Sequence, residues 1–146
     1  MINKNKKVLV AAAHADDEVL GCGGTLAKLA KKNFEINTLI FSDGVSSRNK
    51  SEEQTKREIK DRQISCQKSC KLLGIKKPTF YNLPDNKLDS VPLLKIVKLI
   101  EKSIKKYKPG LIFTHCPEDL NIDHRLISKA VITACRPMKN NPVKLI

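Results

Sequence analysis

The stretch VLVAAAHADDEVLGCGG, Val8–Gly24, sets His14, Asp16, Asp17 and Glu18 directly behind an apolar run. The chain has only 3 histidines; His14 follows this run, and His115 and His124 follow a later one, LIFTH. Carboxylates accompany them there too, in CPEDLNIDH. A mixed His/Asp set with an open position suits Zn²⁺ or a similar divalent ion. His14 and Asp17 are three residues apart, so both can face one ion as the chain turns into a helix. His124 is placed to supply a third donor from the start of another helix. Asp16 then remains as a general base for an activated water.

Each residue also has a plainer explanation. Asp16, Asp17 or Glu18 alone serves equally well as a helix cap or a partner of the helix dipole. His115 alone reads as a satisfied histidine at a strand end. Asp123 either caps the last helix or orients a histidine ligand by a hydrogen bond. None of these explains why the polar residues gather at the ends of strands. The glycines at 21, 23 and 24 lack GxGxxG spacing and follow the acidic cluster, which speaks against a dinucleotide site. Ser46 and Ser47 lack a GxSxG elbow, which speaks against a serine hydrolase. Cys66 and Cys70, four apart in a helical pattern, read as core.

The elements that must hold these residues alternate. KKVLVAAAH is a strand buried on both faces. GGTLAKLAKKN is helical, with Asn33 as its stop. FEINTLIFSDG is a strand closing on an Asp43-Gly44 turn. A polar loop at 45–52 leads to a long helix from about Glu53 to Leu73, stopped by Gly74. KPTFYNLP is a short strand. SVPLLKIVKLIEKSIKKYKPG is an amphipathic helix with Ser90 as N-cap. LIFTH is a strand, and IDHRLISKAVITACRP a helix. The order β-α-β-α-β-α-β-α predicts an α/β fold with a Rossmann-like open, mainly parallel sheet, helices on both faces and strand order 3-2-1-4. Ligands of such sheets bind beyond the carboxyl ends of the strands, where the order reverses. The final NPVKLI reads as the start of another strand.

The 146 residues suit one domain spanning 1–146, and 40% hydrophobic residues predict a globular fold. No apolar run approaches the roughly 20 residues of a membrane span, and no signal-peptide core precedes the first strand; a cytoplasmic location is the expectation. The 5 cysteines form no CxxC pair. The net charge of +13 raises the reading of a basic nucleic-acid-binding protein. With aromatics at 4%, base stacking has few platforms, and a lysine-rich solvated surface that helps attract an anionic substrate is favoured.

AHADDEVLGCGGTL resembles the first motif of the PIG-L/LmbE-like deacetylases, usually AHPDDE, with Ala15 in place of the proline. FSDG followed by SSR, KREIKDRQISCQKSCKLLGI and THCPEDLNIDHRLI resemble later segments of that family. The resemblance runs over essentially the whole chain. It implies a zinc-dependent deacetylase acting on an N-acetylated amino-sugar conjugate of the N-acetylglucosamine type. It implies zinc, or another divalent transition metal, on His14, Asp17 and His124. Asp16 would be the base, Asp123 an orienting group and Arg48 a substrate contact. Asn121 stands where many members carry a histidine that stabilises the oxyanion; His115 or Asn121, the latter also a substrate contact, would do that work here. Family chains usually run longer, so the domain is expected to be C-terminally truncated, with an exposed strand edge that favours self-association. The rival reading is a catalytically weak metal- or sugar-binding domain of the same fold.

Overall fold

Val8–Ala13 carry no polar side chain, and all six residues are buried. They belong to the centre of the sheet in the computed structural model, which describes residues 5–146. The strands are β1 (Lys7–Ala12), β2 (Glu35–Ser42), β3 (Thr79–Leu83) and β4 (Leu111–Phe113). The helices are α1 (Asp17–Lys31), α2 (Glu52–Leu73), α3 (Leu93–Tyr107) and α4 (Ile122–Ala134). The sheet order is β3-β2-β1-β4 and every neighbouring pair is parallel, as the alternation of elements predicts.

Alternate strand residues feed two cores. Leu9, Ala11, Leu39, Phe41 and Ile112 pack with Ile96, Ile100 and Ile104 of α3 and Ile127 and Val131 of α4. On the opposite face Val8, Val10 and Ile36 meet Leu26 of α1, while Ala12 and Ile40 meet Cys66 and Cys70 of α2. Burying each large aliphatic side chain contributes about 1.5–3 kcal/mol. Helices therefore cover both faces and leave the carboxyl ends of β1 and β4 side by side.

The helix ends are set by local chemistry. Ser51 Oγ accepts the Gln54 N–H at 3.2 Å and the Gln54 side chain accepts the Ser51 N–H at 3.3 Å, a reciprocal cap that starts α2. Gly74, at φ 74°, ends it. Asn33, at φ 60°, turns the chain after α1. Ser90 is not the N-cap of α3. It closes a short 3₁₀ turn, Leu88–Ser90, with its hydroxyl on the Lys87 carbonyl, and Pro92 precedes the helix instead. The strand in LIFTH stops at Phe113 because side chains take over the ladder: Thr114 Oγ1 donates to the Ala11 carbonyl and His115 Nε2 accepts the Ala13 N–H.

The last residues run along the outer edge of β4. Lys144 N–H donates to the Gly110 carbonyl and Ile112 N–H to the Leu145 carbonyl, forming one parallel bridge between Leu111 and Leu145. NPVKLI thus starts a strand-like pairing, as its sequence suggests. Among the described residues no helix is long and apolar enough to cross a membrane.

Candidate active site

As β1 gives way to α1, Asp17 Oδ2 accepts the His14 backbone N–H at 2.8 Å, folding both side chains toward the same side. α4 then brings in His124. His14 Nδ1 lies 3.2 Å from His124 Nε2, and Asp17 Oδ2 lies 3.4 Å from each of these nitrogens. The outward-facing nitrogens are tied to carboxylates. His14 Nε2 is 3.2 Å from both Asp123 Oδ2 and Asp85 Oδ1, and His124 Nδ1 is 3.0 Å from Asp119 Oδ2. Carboxylates accept hydrogen bonds, so these nitrogens are the ones that carry protons. Once the inward nitrogens are deprotonated, their lone pairs face each other and a carboxylate oxygen. Three acceptors converging with no donor between them fit a cation, and a two-histidine, one-aspartate set fits a divalent transition metal.

The electrostatics show the same preference for positive charge, here met by a second proton on His14. Burial opposes charge on His14, but its hydrogen bonds to Asp123 and Asp17 and their negative charges outweigh this and raise its pKa to about 10. Burial likewise opposes the Asp17 carboxylate, yet hydrogen bonds from the His14 side chain and backbone hold it below the ordinary carboxylate range. The pocket favours positive charge. A second trio, His14, Asp85 and Asp123, also comes together at the other His14 nitrogen. Both oxygens facing that nitrogen already accept from Asn86: Asp123 Oδ2 from its backbone N–H at 2.8 Å and Asp85 Oδ1 from its side-chain amide at 3.4 Å. The Nδ1 side is the better cation site.

Asp123 is fully buried beneath His14, where an orienting group belongs. It does not cap α4. Asn121 does, with Oδ1 accepting the N–H groups of Asp123 and His124 and Nδ2 donating to Asn86 Oδ1 at 3.1 Å. The His115 ring is stacked on the His124 imidazole with centroids 3.9 Å apart, and its Nε2 lies 3.5 Å from Asp17 Oδ2. Burial, with the like charges of His124 and His14, lowers its pKa to about 4, so it is neutral near pH 7. Its Nε2 is occupied by the Ala13 amide.

Asp16, Arg48 and Asn121 line one cleft of about 220 Å³ with His14, Ser47 and Asp85, whereas His115 and Asp17 line a neighbouring groove between α1 and β4. The Asp16 side chain is half exposed, and Arg62 Nη1 of α2 lies 3.9 Å from its Oδ2. Arg62 lies across Gly44, whose φ of 71° fits glycine and whose added Cβ would sit 3.4 Å from the guanidinium.

Sequence reasoning missed Asp85 and Arg62. Asp85 had a signal, since LPDN ends β3 at the same edge as the other site loops. Arg62 had none, because its role depends on how α2 lies over the Gly44 turn.

A parallel α/β sheet with a two-histidine, one-aspartate candidate cation site at its strand-order reversal is the class of protein defined here. The PIG-L family model, described as GlcNAc-PI de-N-acetylase, matches residues 9–135, and the chain belongs to that family. It is 30% identical over 139 residues to the uncharacterized deacetylase YaiS of Escherichia coli strain K12, covering 92% of this chain and 70% of that protein. It is 31% identical over 127 residues to the diacetylchitobiose deacetylase of Thermococcus kodakarensis, covering 84% of this chain and 46% of that one. The fold superposes on the N,N'-diacetylchitobiose deacetylase of Pyrococcus horikoshii with a TM-score of 0.81 at 28% identity, over 92% of this chain and 51% of that structure. The chain thus spans about half the length of the two chitobiose deacetylases.

Proposed function

We propose that the protein is a metal-dependent hydrolase that removes the acetyl group from an N-acetylglucosamine-type substrate, with zinc or a similar divalent ion on His14, Asp17 and His124. The observation that carries this reading is the triangle of His14 Nδ1, Asp17 Oδ2 and His124 Nε2 beside an open, polar cleft. Family membership and the deacetylases it resembles support the reaction type.

When bound, such an ion supplies a Lewis acid that polarises the acyl oxygen and makes water acidic near pH 7. Asp16, which lines the cleft next to Asp17, takes a proton from the attacking water. It returns that proton to the nitrogen as the C–N bond breaks, leaving acetate and a free amine. Asp123, Asp85 and Asp119 hold the ring protons of His14 and His124 outward, which fixes both tautomers. Arg48 and Arg62 at the cleft offer donors to the sugar or to an anionic group attached to it. Of the two groups expected at the oxyanion, Asn121 lines this cleft and is assigned that role. His115, stacked on His124 and held by the Ala13 amide, is assigned as a positioning residue.

The test is incubation of the zinc-loaded protein with N-acetylglucosamine, diacetylchitobiose and anionic N-acetylglucosamine conjugates, scoring released amine and acetate. Equimolar amine and acetate, lost in Asp16→Asn, is the expected result. Zinc bound by the triangle with no amine from any of them would leave a binding domain in place of the enzyme.

A further inference from the structure

The face of the sheet under α1 and α2 buries a second donor cluster that the proposed reaction does not use. Glu18 follows Asp17 directly on α1, but its side chain runs into the core and is 1% exposed. Cys66 and Cys70 lie one turn apart on α2 and are 4% and 1% exposed. Cys66 Sγ donates to Glu18 Oε1 at 3.3 Å, and the Asp16 N–H donates to Glu18 Oε2 at 3.1 Å. Donor atoms of all three side chains lie within 4.8 Å of one another.

Among the described residues, the Glu18 carboxylate makes its side-chain hydrogen bond to a thiol, and no cationic side chain hydrogen-bonds to it. An unpaired carboxylate is costly to hold away from water, and a cation beside it offsets that cost. The two flanking thiols decide which cation. Sulfur donors favour zinc-class ions over magnesium or calcium. An ion about 2.3 Å from sulfur and about 2.1 Å from oxygen bridges donors roughly 3.5 Å apart, in line with the Glu18–Cys66 separation. Glu18 borders the groove of about 380 Å³ between α1 and β4.

We propose that Glu18, Cys66 and Cys70 form a second metal site, specific for a thiophilic divalent ion and distinct from the His14–Asp17–His124 centre. Binding releases the two thiol protons to solvent and leaves two thiolates and one carboxylate on the ion. The site fastens α2 to α1 one residue from Asp17, so its occupancy stiffens the start of α1 that carries the Asp16–Asp17 pair. It stands independently of the proposed deacetylation.

The test is a Co²⁺ titration of the intact chain under a non-thiol reductant, reading bound equivalents and the near-ultraviolet sulfur-to-cobalt charge-transfer band. The expected result is two equivalents and the band in the unaltered protein. One equivalent with the band should remain in His14→Ala/His124→Ala. One equivalent without the band should remain in Cys66→Ser and in Cys70→Ser, each of which nearly preserves side-chain volume. Cys22→Ser should keep two equivalents and the band. A single equivalent without the band in the unaltered protein, or a band that survives both the Cys66 and the Cys70 substitution, would overturn the proposal. Should the serine variants fail to fold, the His14→Ala/His124→Ala protein decides: one equivalent with the band supports the site, and its absence refutes it.

Discussion

His14 Nδ1 and His124 Nε2 meet at 3.2 Å across 110 residues of chain. The end of β1 supplies one and the first turn of α4 the other, with Asp17 Oδ2 completing the triangle. β1 and β4 are neighbours in the sheet, so the loops that follow them converge on one point.

His14→Ala, Asp17→Ala and His124→Ala should each abolish stoichiometric zinc binding at this centre. A ligand that binds only the folded state at 100 times its Kd stabilises it by about 2.7 kcal/mol. Zinc should therefore raise the melting temperature of the unaltered protein. In a Cys66→Ser/Cys70→Ser background, which isolates this centre, the shift should persist, and adding any of the three substitutions should remove it. Differential scanning calorimetry with and without zinc checks this.

Asp16→Asn is nearly isosteric. It should leave zinc content unchanged and lower kcat by about 10²–10⁴-fold, the usual cost of losing a general base. Amine release and elemental analysis on the same preparation separate the two effects.

Asp85→Asn and Asp123→Asn should differ. Both remove a carboxylate from His14 Nε2, and loss of such an orienting partner typically costs about 10–100-fold in metal affinity. Asp123 is also the buried acceptor for the Leu88 and Asn86 amides, so Asp123→Asn should additionally destabilise the fold, by about 1–3 kcal/mol. Urea unfolding of both variants without metal should show the deficit for Asp123 and little for Asp85.

Ser51→Ala should lower stability by about 0.5–2 kcal/mol through loss of the α2 cap, without changing zinc stoichiometry at His14. The same denaturation and metal measurements serve as the control.

The fold was legible because the apolar runs end in turn chemistry that the structure uses directly, such as Gly44 and Gly74 at positive φ. The three converging donors were legible because so few histidines are present and they follow just two strands. The division of labour around them was not. Whether Asp123 capped a helix or oriented a histidine depended on Asn121 taking the cap first. His115 resembled its neighbours in sequence, yet its Nε2 accepts the Ala13 amide and its ring borders the neighbouring groove instead of the cleft. Glu18 looked like part of the acidic cluster, but the helical turn after Asp17 sends it to the opposite side, against Cys66. Such distinctions arise from side-chain direction, which spacing alone does not encode.

The most direct measurement is anomalous diffraction at the zinc edge from crystals of the zinc-loaded protein. The expected result is a peak bonded to His14 Nδ1, Asp17 Oδ2 and His124 Nε2, at about 2.0–2.2 Å from each. A peak on the other side of His14, between Nε2, Asp85 and Asp123, or no peak near His14 at all, would contradict the assignment of the centre and the reaction built on it.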